Sequence, residues 1–493
     1  MQTLFYNARF YTMNQKYEYF TACLVENGII QEIYKDQKPD FQGRQIDLNG
    51  ACVLPGFIDT HTHSFEGGLY SNGVDCSQVK DLKELFTLLG DAAPISQMIF
   101  AWNLDENALK EKRFPTIEEL DSVVRDLPLL LRRVDGHSCL INSKALKMID
   151  WHYKIPSQFN GLLKGDLNDN AAHWFHKNLS ESAVIEAYEA AQRIALASGH
   201  TTIHTMIGDA KQDILHYRLM KDNLKHFTID YKIYPQSFNT KQALENGATR
   251  IGGCILADGS FGSHTAALTS PYIDMPTHSG NPYHTQKYWD QFVSNCHQKN
   301  LQVGVHCIGD FAINQIVTAI EKAQLKKEKD LRHQIIHCEL VDDNLIKRMA
   351  DNQISAVMQP AFDRYWGGKT GFYQKVLGLD RAYSCNRFKS LVNQGVLVTG
   401  GSDWYITPVD ALFGIDSAVN IHNPDERLNV FDAISLYTSN AAKLSFDEDR
   451  IGTLSIGKQA DFVCLDHDIF NYQNIDQIKV TSVYKKGINA FSC

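Results

Sequence analysis

Along most of the chain, short continuous apolar runs end abruptly in polar or charged residues, and helix-period patterns fill the intervals. The runs are CVLPGFIDTHTH, TTIHTM, FTIDYKIY, GGCILADGS, LQVGVHCIGD, RHQIIHCEL, ISAVMQP and GVLVTGGSDW, with segments such as FAINQIVTAIEKAQLKKEKD and DDNLIKRMADNQ between them. A strand that is apolar along its length belongs in a parallel sheet covered on both faces, since alternation would mark a face open to water. Eight such strands alternating with helices predict an α/β fold, a distorted TIM (β/α)8 barrel.

The two ends read differently. LFYNARFYTM, ACLVENGIIQEIY and RQIDLNGACVLPG near the start, and IGTLSIGKQADFVCLD and VTSVYKKGINAF near the other end, are short β-rich runs separated by turn residues, ENG being a hairpin candidate. They predict a small composite β-sandwich from residues 1–52 and 425–493, flanking a barrel over 53–424. The interval 68–198 is too long for one βα unit and predicts an insertion after the first strand, placed to lid the mouth. No internal repeat or low-complexity tract interrupts this plan.

In a parallel barrel the reacting groups gather at the C-terminal strand ends, and His61, His63, Asp258, His306, His337 and Asp403 all fall at or just past such ends. His61 and His63 are two residues apart, which puts both imidazoles on one face of a strand. Any one histidine on an apolar strand is more often a satisfied core residue. The ordered set, a pair, two single histidines and a terminal aspartate, points instead to a metal centre, because neutral imidazole and carboxylate are good zinc ligands. Water bound to such a metal is acidified from a pKa of about 15.7 to about 7. Asp403, in GGSDW, is the candidate to take its proton and pass it to a leaving nitrogen.

Composition narrows the partners. The 493 residues carry a formal net charge of -9 with no long Lys/Arg run, which leaves no electrostatic footprint for nucleic acid or an anionic membrane. The start has no basic region followed by an apolar core, and no window approaches the roughly 18 consecutive apolar residues of a spanning helix. Eleven cysteines are scattered without CxxC pairs, as expected of reduced, buried thiols. These features predict a cytoplasmic protein acting on a small molecule; a homodimer is compatible with them.

The motif PGFIDTHTH, the single histidines 306 and 337, the GSDW aspartate and the closing NAAKL and IGTLSIGKQADFVCLD resemble, in order and spacing, the amidohydrolase superfamily over nearly the whole chain. RVDGHSCLINSKAL, ADGSFGSHTAAL, VHCIGDFAINQ and RHQIIHCELV are similar to the branch that includes N-substituted formamide deformylase, with D-aminoacylase a more distant relative. The resemblance implies a TIM-like barrel with a composite sandwich and metal ligands at His61, His63, His306 and His337, with Asp403 as ligand and proton shuttle. It implies zinc, one ion or two, with iron or manganese as alternatives, and cleavage of a C–N bond in an amide, N-formyl or cyclic amide substrate. Two other readings stay open: a heterocycle deaminase on the same scaffold, and a non-catalytic ligand-binding or regulatory relative.

The sequence departs from that pattern at Cys254, where close relatives usually carry a lysine whose carbamate bridges two metals. Either Cys254 bridges a binuclear site as a thiolate, or it is a core thiol beside a single metal; strand polarity favours the first. Ile336 stands where relatives often have glutamate. Asp135, His137 and Asn142 match a branch motif and are candidates to reach substrate from the insertion, as are Asp258 and His264 from the loop ADGSFGSH. His204 is a candidate pocket residue without a claim to be a ligand, and Trp102, Trp366 and Trp404 offer apolar surface for a substrate.

Overall fold

Each of the eight apolar runs forms a strand: β1 (Phe57–Thr62), β2 (His200–Ile207), β3 (Asp230–Pro235), β4 (Arg250–Leu256), β5 (Gln302–Cys307), β6 (Gln334–His337), β7 (Ser355–Met358) and β8 (Val398–Gly400). The computed structural model describes residues 2–36, 38–134, 136, 138–157, 159–208 and 214–493. All eight strands pair in parallel, in a three-stranded sheet β3-β2-β1 and a five-stranded sheet β4-β5-β6-β7-β8. Strand β3 lies beside β4, and β8 beside β1. Thr60 Oγ1 donates to Gly400 O at 2.9 Å, and Asp403 N–H donates to His61 O at 2.8 Å. The first and last strands are thereby tied together.

Strands β1, β2, β5, β6, β7 and β8 are buried at every position, which is why their sequences are near-continuous rather than alternating. Amphipathic helices cover them; Asp310–Lys326 turns Ile313, Ile316, Val317 and Ile320 inward.

The chain divides into two compact units, Met1–Thr62 with Ile194–Cys493, and His63–Arg193. In the first, strands Gln2–Tyr11, Tyr19–Glu26, Ile29–Tyr34 and Arg44–Pro55 join Phe462–Leu465, Val480–Lys485 and Ile488–Ser492. The strands assigned from sequence to a sandwich are laddered as one seven-stranded sheet, with Val53 opposite Cys464 and Leu54 opposite Val463. Phe5, Phe10, Phe20, Phe462 and Tyr484 form its core. The segment 425–461, grouped with those strands from sequence, carries instead the helices Val430–Leu436 and Ser439–Leu444.

This sheet is fastened beneath the parallel strands by Lys485. Its buried ammonium donates to Asp461 at 2.7 Å and to the carbonyl of Thr201 at 3.1 Å, and pairs with Asp230 at 3.1 Å.

The second unit has its own five-stranded sheet, in the order Leu162–Lys164, Ser138–Ile141, Leu129–Arg133, Ile99–Leu104, Val74–Asp75. Leu85, Leu104, Leu120, Leu129 and Leu131 fill its core. Among the described residues no helix is long and apolar enough to cross a membrane.

Candidate metal centre

Cys254 reaches the site through an irregularity in β4. The ladder with β5 runs Arg250 to Gln302, Ile251 to Val303 and Gly252 to Gly304, then resumes at Ile255 opposite Val305. Residues 253 and 254 are therefore extra on the β4 side, a bulge that re-aims a side chain. Gly252 and Gly253 hold φ of +83° and +90°, a region that only glycine enters at little cost. A Cβ on Gly253 would sit 2.0 Å from Met206 Sδ, and one on Gly252 would sit 2.3 Å from Gly304 O. The tandem glycine thus permits both the backbone turn and the close approach of neighbouring strands.

The bulge presents the Cys254 sulfur to three imidazoles, with ring nitrogens of His61, His306 and His337 each within 4.8 Å of it. Donor atoms of Cys254, His306 and His337 all lie within 4.8 Å of one another, and so do those of His61, His337 and Asp403. His61 Nε2 is 3.1 Å from Asp403 Oδ1. All of these except Cys254, which is half-buried, are buried.

Neighbours fix which ring nitrogen each histidine presents. His306 Nε2 meets the carbonyl of Gly259 at 3.0 Å, which can only accept, so Nε2 carries the proton and Nδ1 is left as the donor atom. His337 Nδ1 lies 2.7 Å from Gln359 Oε1, which assigns its proton to Nδ1 and leaves Nε2. A ligating histidine held through its other nitrogen is the usual support of a metal site.

The electrostatics follow from the thiol. Burial pulls His306 down, but the hydrogen bond and charge of Cys254, helped by Asp258, more than offset it and raise the group to about 9. His61 is also raised: burial acts against the charge, and Asp403 and Cys254 overcome it. His337 is lowered, by burial first and then by the charge of His306. An enclosed group of donors that favours positive charge on two buried imidazoles suits a cation.

Two carboxylates organise the frame. Asp59, fully buried, accepts the N–H of His61 at 3.0 Å and of Ser402 at 3.1 Å, so it joins the end of β1 to the turn after β8. Burial raises its pKa to about 6 against those donors. Asp258, a sequence candidate for substrate contact, is completely enclosed; it accepts N–H groups from Ala267 at 2.8 Å, Ile308 at 3.0 Å and Gly309 at 2.8 Å. It staples the loop after β4 to the end of β5, and burial raises it to about 6.

His264 Nε2 pairs with Asp274 Oδ2 at 2.8 Å and packs on Tyr272, inside the loop after β4. His204 is fully buried, stacked on Tyr234, and its carbonyl accepts from Thr62 Oγ1 at 2.7 Å. His63 begins the second unit and is the residue that precedes the helix Ser64–Ser71. Trp102 also belongs to that unit, stacked on Tyr70 with centroids 6.0 Å apart. Asn142 caps the helix Ser143–Met148 and bonds the carbonyls of Val124 and Leu127. Asp135 and His137 lie outside the described residues. Trp366 packs edge-on against Phe362, and Trp404 is buried beside the end of β1, where Thr62 forms a parallel bridge to it.

Sequence reasoning missed Asp59 and Gln359. Both were visible as polar residues inside or directly after an apolar strand, in FIDTHTH and AVMQP.

The eight parallel strands and the donors at their ends agree with the family comparison. A family model described as "Amidohydrolase family" matches residues 44–488. The chain belongs to the amidohydrolase family. Protein YtcJ of Bacillus subtilis (strain 168) is 29% identical, over 99% of this chain and 98% of the relative. The N-substituted formamide deformylase of Arthrobacter pascens is 23% identical, over 98% and 97%. A metal-dependent hydrolase from Pyrococcus furiosus superimposes with a TM-score of 0.82 at 25% identity, covering 96% of this chain and 100% of that one. This amidohydrolase is accordingly a hydrolase, and its histidine, cysteine and aspartate donors suit a metal cofactor.

Proposed function

We propose that the protein is a zinc-dependent hydrolase of a non-peptide C–N bond in a small amide, N-formyl or cyclic amide, with two metals bridged by Cys254 inside a closed (β/α)8 barrel. The observation that carries this reading is the Cys254 sulfur lying within 4.8 Å of ring nitrogens of His61, His306 and His337. Thiolate and imidazole together favour zinc over harder, oxygen-seeking ions. His61 and His63 would serve one metal, His63 on the strength of the His-Thr-His spacing, and His306 through Nδ1 with His337 through Nε2 the other. No disulfide joins the described cysteines, which supports a reducing, cytoplasmic setting.

When bound, such metals acidify a water and polarise a carbonyl. Asp403 does the proton work. Its Oδ1 is held against His61 Nε2 at 3.1 Å, and its backbone is fixed by the N–H donated to His61 O. A carboxylate held there accepts the water proton and delivers it to the departing nitrogen. Asp59 and Asp258, their oxygens engaged by backbone N–H groups, hold the strand ends and take no part in transfer.

The test is elemental analysis of protein purified without chelator, followed by assay of an N-formyl and N-acyl amine panel. Zinc retained with formate or carboxylate release is the expected result. Ammonia release from aminated heterocycles with inert amides would replace this reading by the deaminase, and metal-free protein inert on both panels would sink it.

A further inference from the structure

Strand β7 ends at Met358, and Pro360 opens the helix Pro360–Trp366. Between them Gln359 occupies the N-cap position yet makes no side-chain capping bond. Its amide is turned to the metal centre instead. Oε1 receives His337 Nδ1–H at 2.7 Å, while Nε2 is buried with no hydrogen-bond partner. One helical turn on, Phe362 lies flat against the same imidazole, with centroids 5.8 Å apart and planes at 10°. The edge and the face of His337 are thus both held from the β7 end.

A buried amide N–H2 left unbonded carries the full cost of its desolvation, and such donors persist where a ligand satisfies them. The partner that His337 supplies consumes only the acceptor half of this amide. The donor half sits at a C-terminal strand end, on a residue touching a candidate ligand.

We propose that Gln359 is a dual-purpose residue: its Oε1 positions His337 to present the imidazole Nε2, and the amide N–H of Gln359 donates to the substrate carbonyl oxygen as it becomes an oxyanion. The inference rests on the metal-hydrolase reading above and assigns a role to β7, a strand that supplies none of the proposed metal ligands. It also narrows the substrate to one whose reacting carbon bears an oxygen able to accept a hydrogen bond, as amides and formamides do.

The two halves separate by substitution. Gln359→Glu keeps the acceptor for His337 and removes the donor; Gln359→Leu removes both. The full-length protein is loaded with cobalt(II), whose visible spectrum reports the ligand set, and cobalt affinity is read by chelator competition. Acetohydroxamate, which carries a carbonyl-type oxygen to a metal centre, is the second probe, titrated by the spectral change it causes. For Gln359→Glu the expected result is wild-type cobalt affinity and spectrum with acetohydroxamate bound at least tenfold more weakly. For Gln359→Leu cobalt affinity falls by about 10–100-fold, as for other lost supports of ligating histidines. Wild-type cobalt affinity in Gln359→Leu overturns the positioning role. Unchanged acetohydroxamate affinity in Gln359→Glu overturns the donor role. A wild-type protein that takes up neither cobalt nor zinc would instead overturn the metal reading itself, which separates the two failures.

Discussion

His61 Nε2 and Asp403 Oδ1 stand 3.1 Å apart, at the ends of the first and last strands of the parallel array. The contact is clamped from both sides. Asp403 gives its N–H to the carbonyl of His61, and Asp59 accepts the N–H of His61 together with that of Ser402. Asp403, the proposed proton carrier, is therefore fixed relative to His61, a proposed ligand, by backbone bonds as well as by its own side chain.

Asp403→Asn keeps the shape and the backbone bonds but cannot accept a proton. Turnover should fall by about 10²–10⁴-fold, with an unfolding midpoint near wild type. A variant retaining more than a tenth of wild-type rate under saturating substrate would remove Asp403 from the proton path.

Cys254→Ala deletes the sulfur that lies within 4.8 Å of ring nitrogens of all three imidazoles. Metal content by elemental analysis should drop from about two per chain to about one, thiolate being a zinc ligand in its own right. Equal content in both proteins would make Cys254 a packing residue.

Gly253→Ala tests the bulge without touching a donor atom. The positive φ costs a residue with a Cβ about 1–2 kcal/mol, and the clash with Met206 adds about 1–3 kcal/mol of overpacking. Lower stability in urea should come with lost metal, because the strand escapes strain by withdrawing Cys254. Full metal content in a folded Gly253→Ala protein would show that the bulge is dispensable.

His333 predicts an acid limb of instability. Its Nδ1 accepts the N–H of Val303 at 3.0 Å and its Nε2 faces His297 Nδ1 at 3.0 Å, so the folded ring is neutral. Burial, then the charges of His297 and Lys329, lower it from 6.5 to about 3. Between those values the unfolded chain binds a proton that the folded one refuses, so stability falls as pH falls through that window, by about 1.4 kcal/mol per pH unit. Above pH 6.5 this group adds no slope. Urea titrations of the wild type and His333→Gln across the window should show the shallower acid slope in the variant.

Lys485→Ala removes the buried cation from Asp461 and Asp230. Leaving a buried carboxylate unpaired should cost about 3–5 kcal/mol, read as a lower denaturation midpoint with ordinary metal content. A loss below about 1 kcal/mol would mean that water reaches Asp461 in the variant.

The strands were legible because burial on both faces removes alternation, and a run such as LQVGVHC states that directly. The donors at their ends were legible as a set, each histidine being uninformative alone. The route by which Cys254 enters the site was not: two glycines before a cysteine read as a weak strand, and only the register against β5 shows that they lengthen one side of the ladder. Asp258 looked available because it follows a strand, yet three backbone N–H groups claim it, and backbone partners leave no trace in sequence. Gln359 was passed over because AVMQP reads as a strand running into a proline; its relation to His337 spans two strands.

The terminal sheet has a consequence for the timing of biosynthesis. Val53 and Leu54 wait for Cys464 and Val463, so at ribosomal speeds of roughly 5–20 residues per second the early strands spend tens of seconds with an open apolar edge. Nascent chains that stall before residue 462 can never seal it. Such products would be natural clients for chaperones and proteases, and the ladder between the two ends marks synthesis that has passed residue 465.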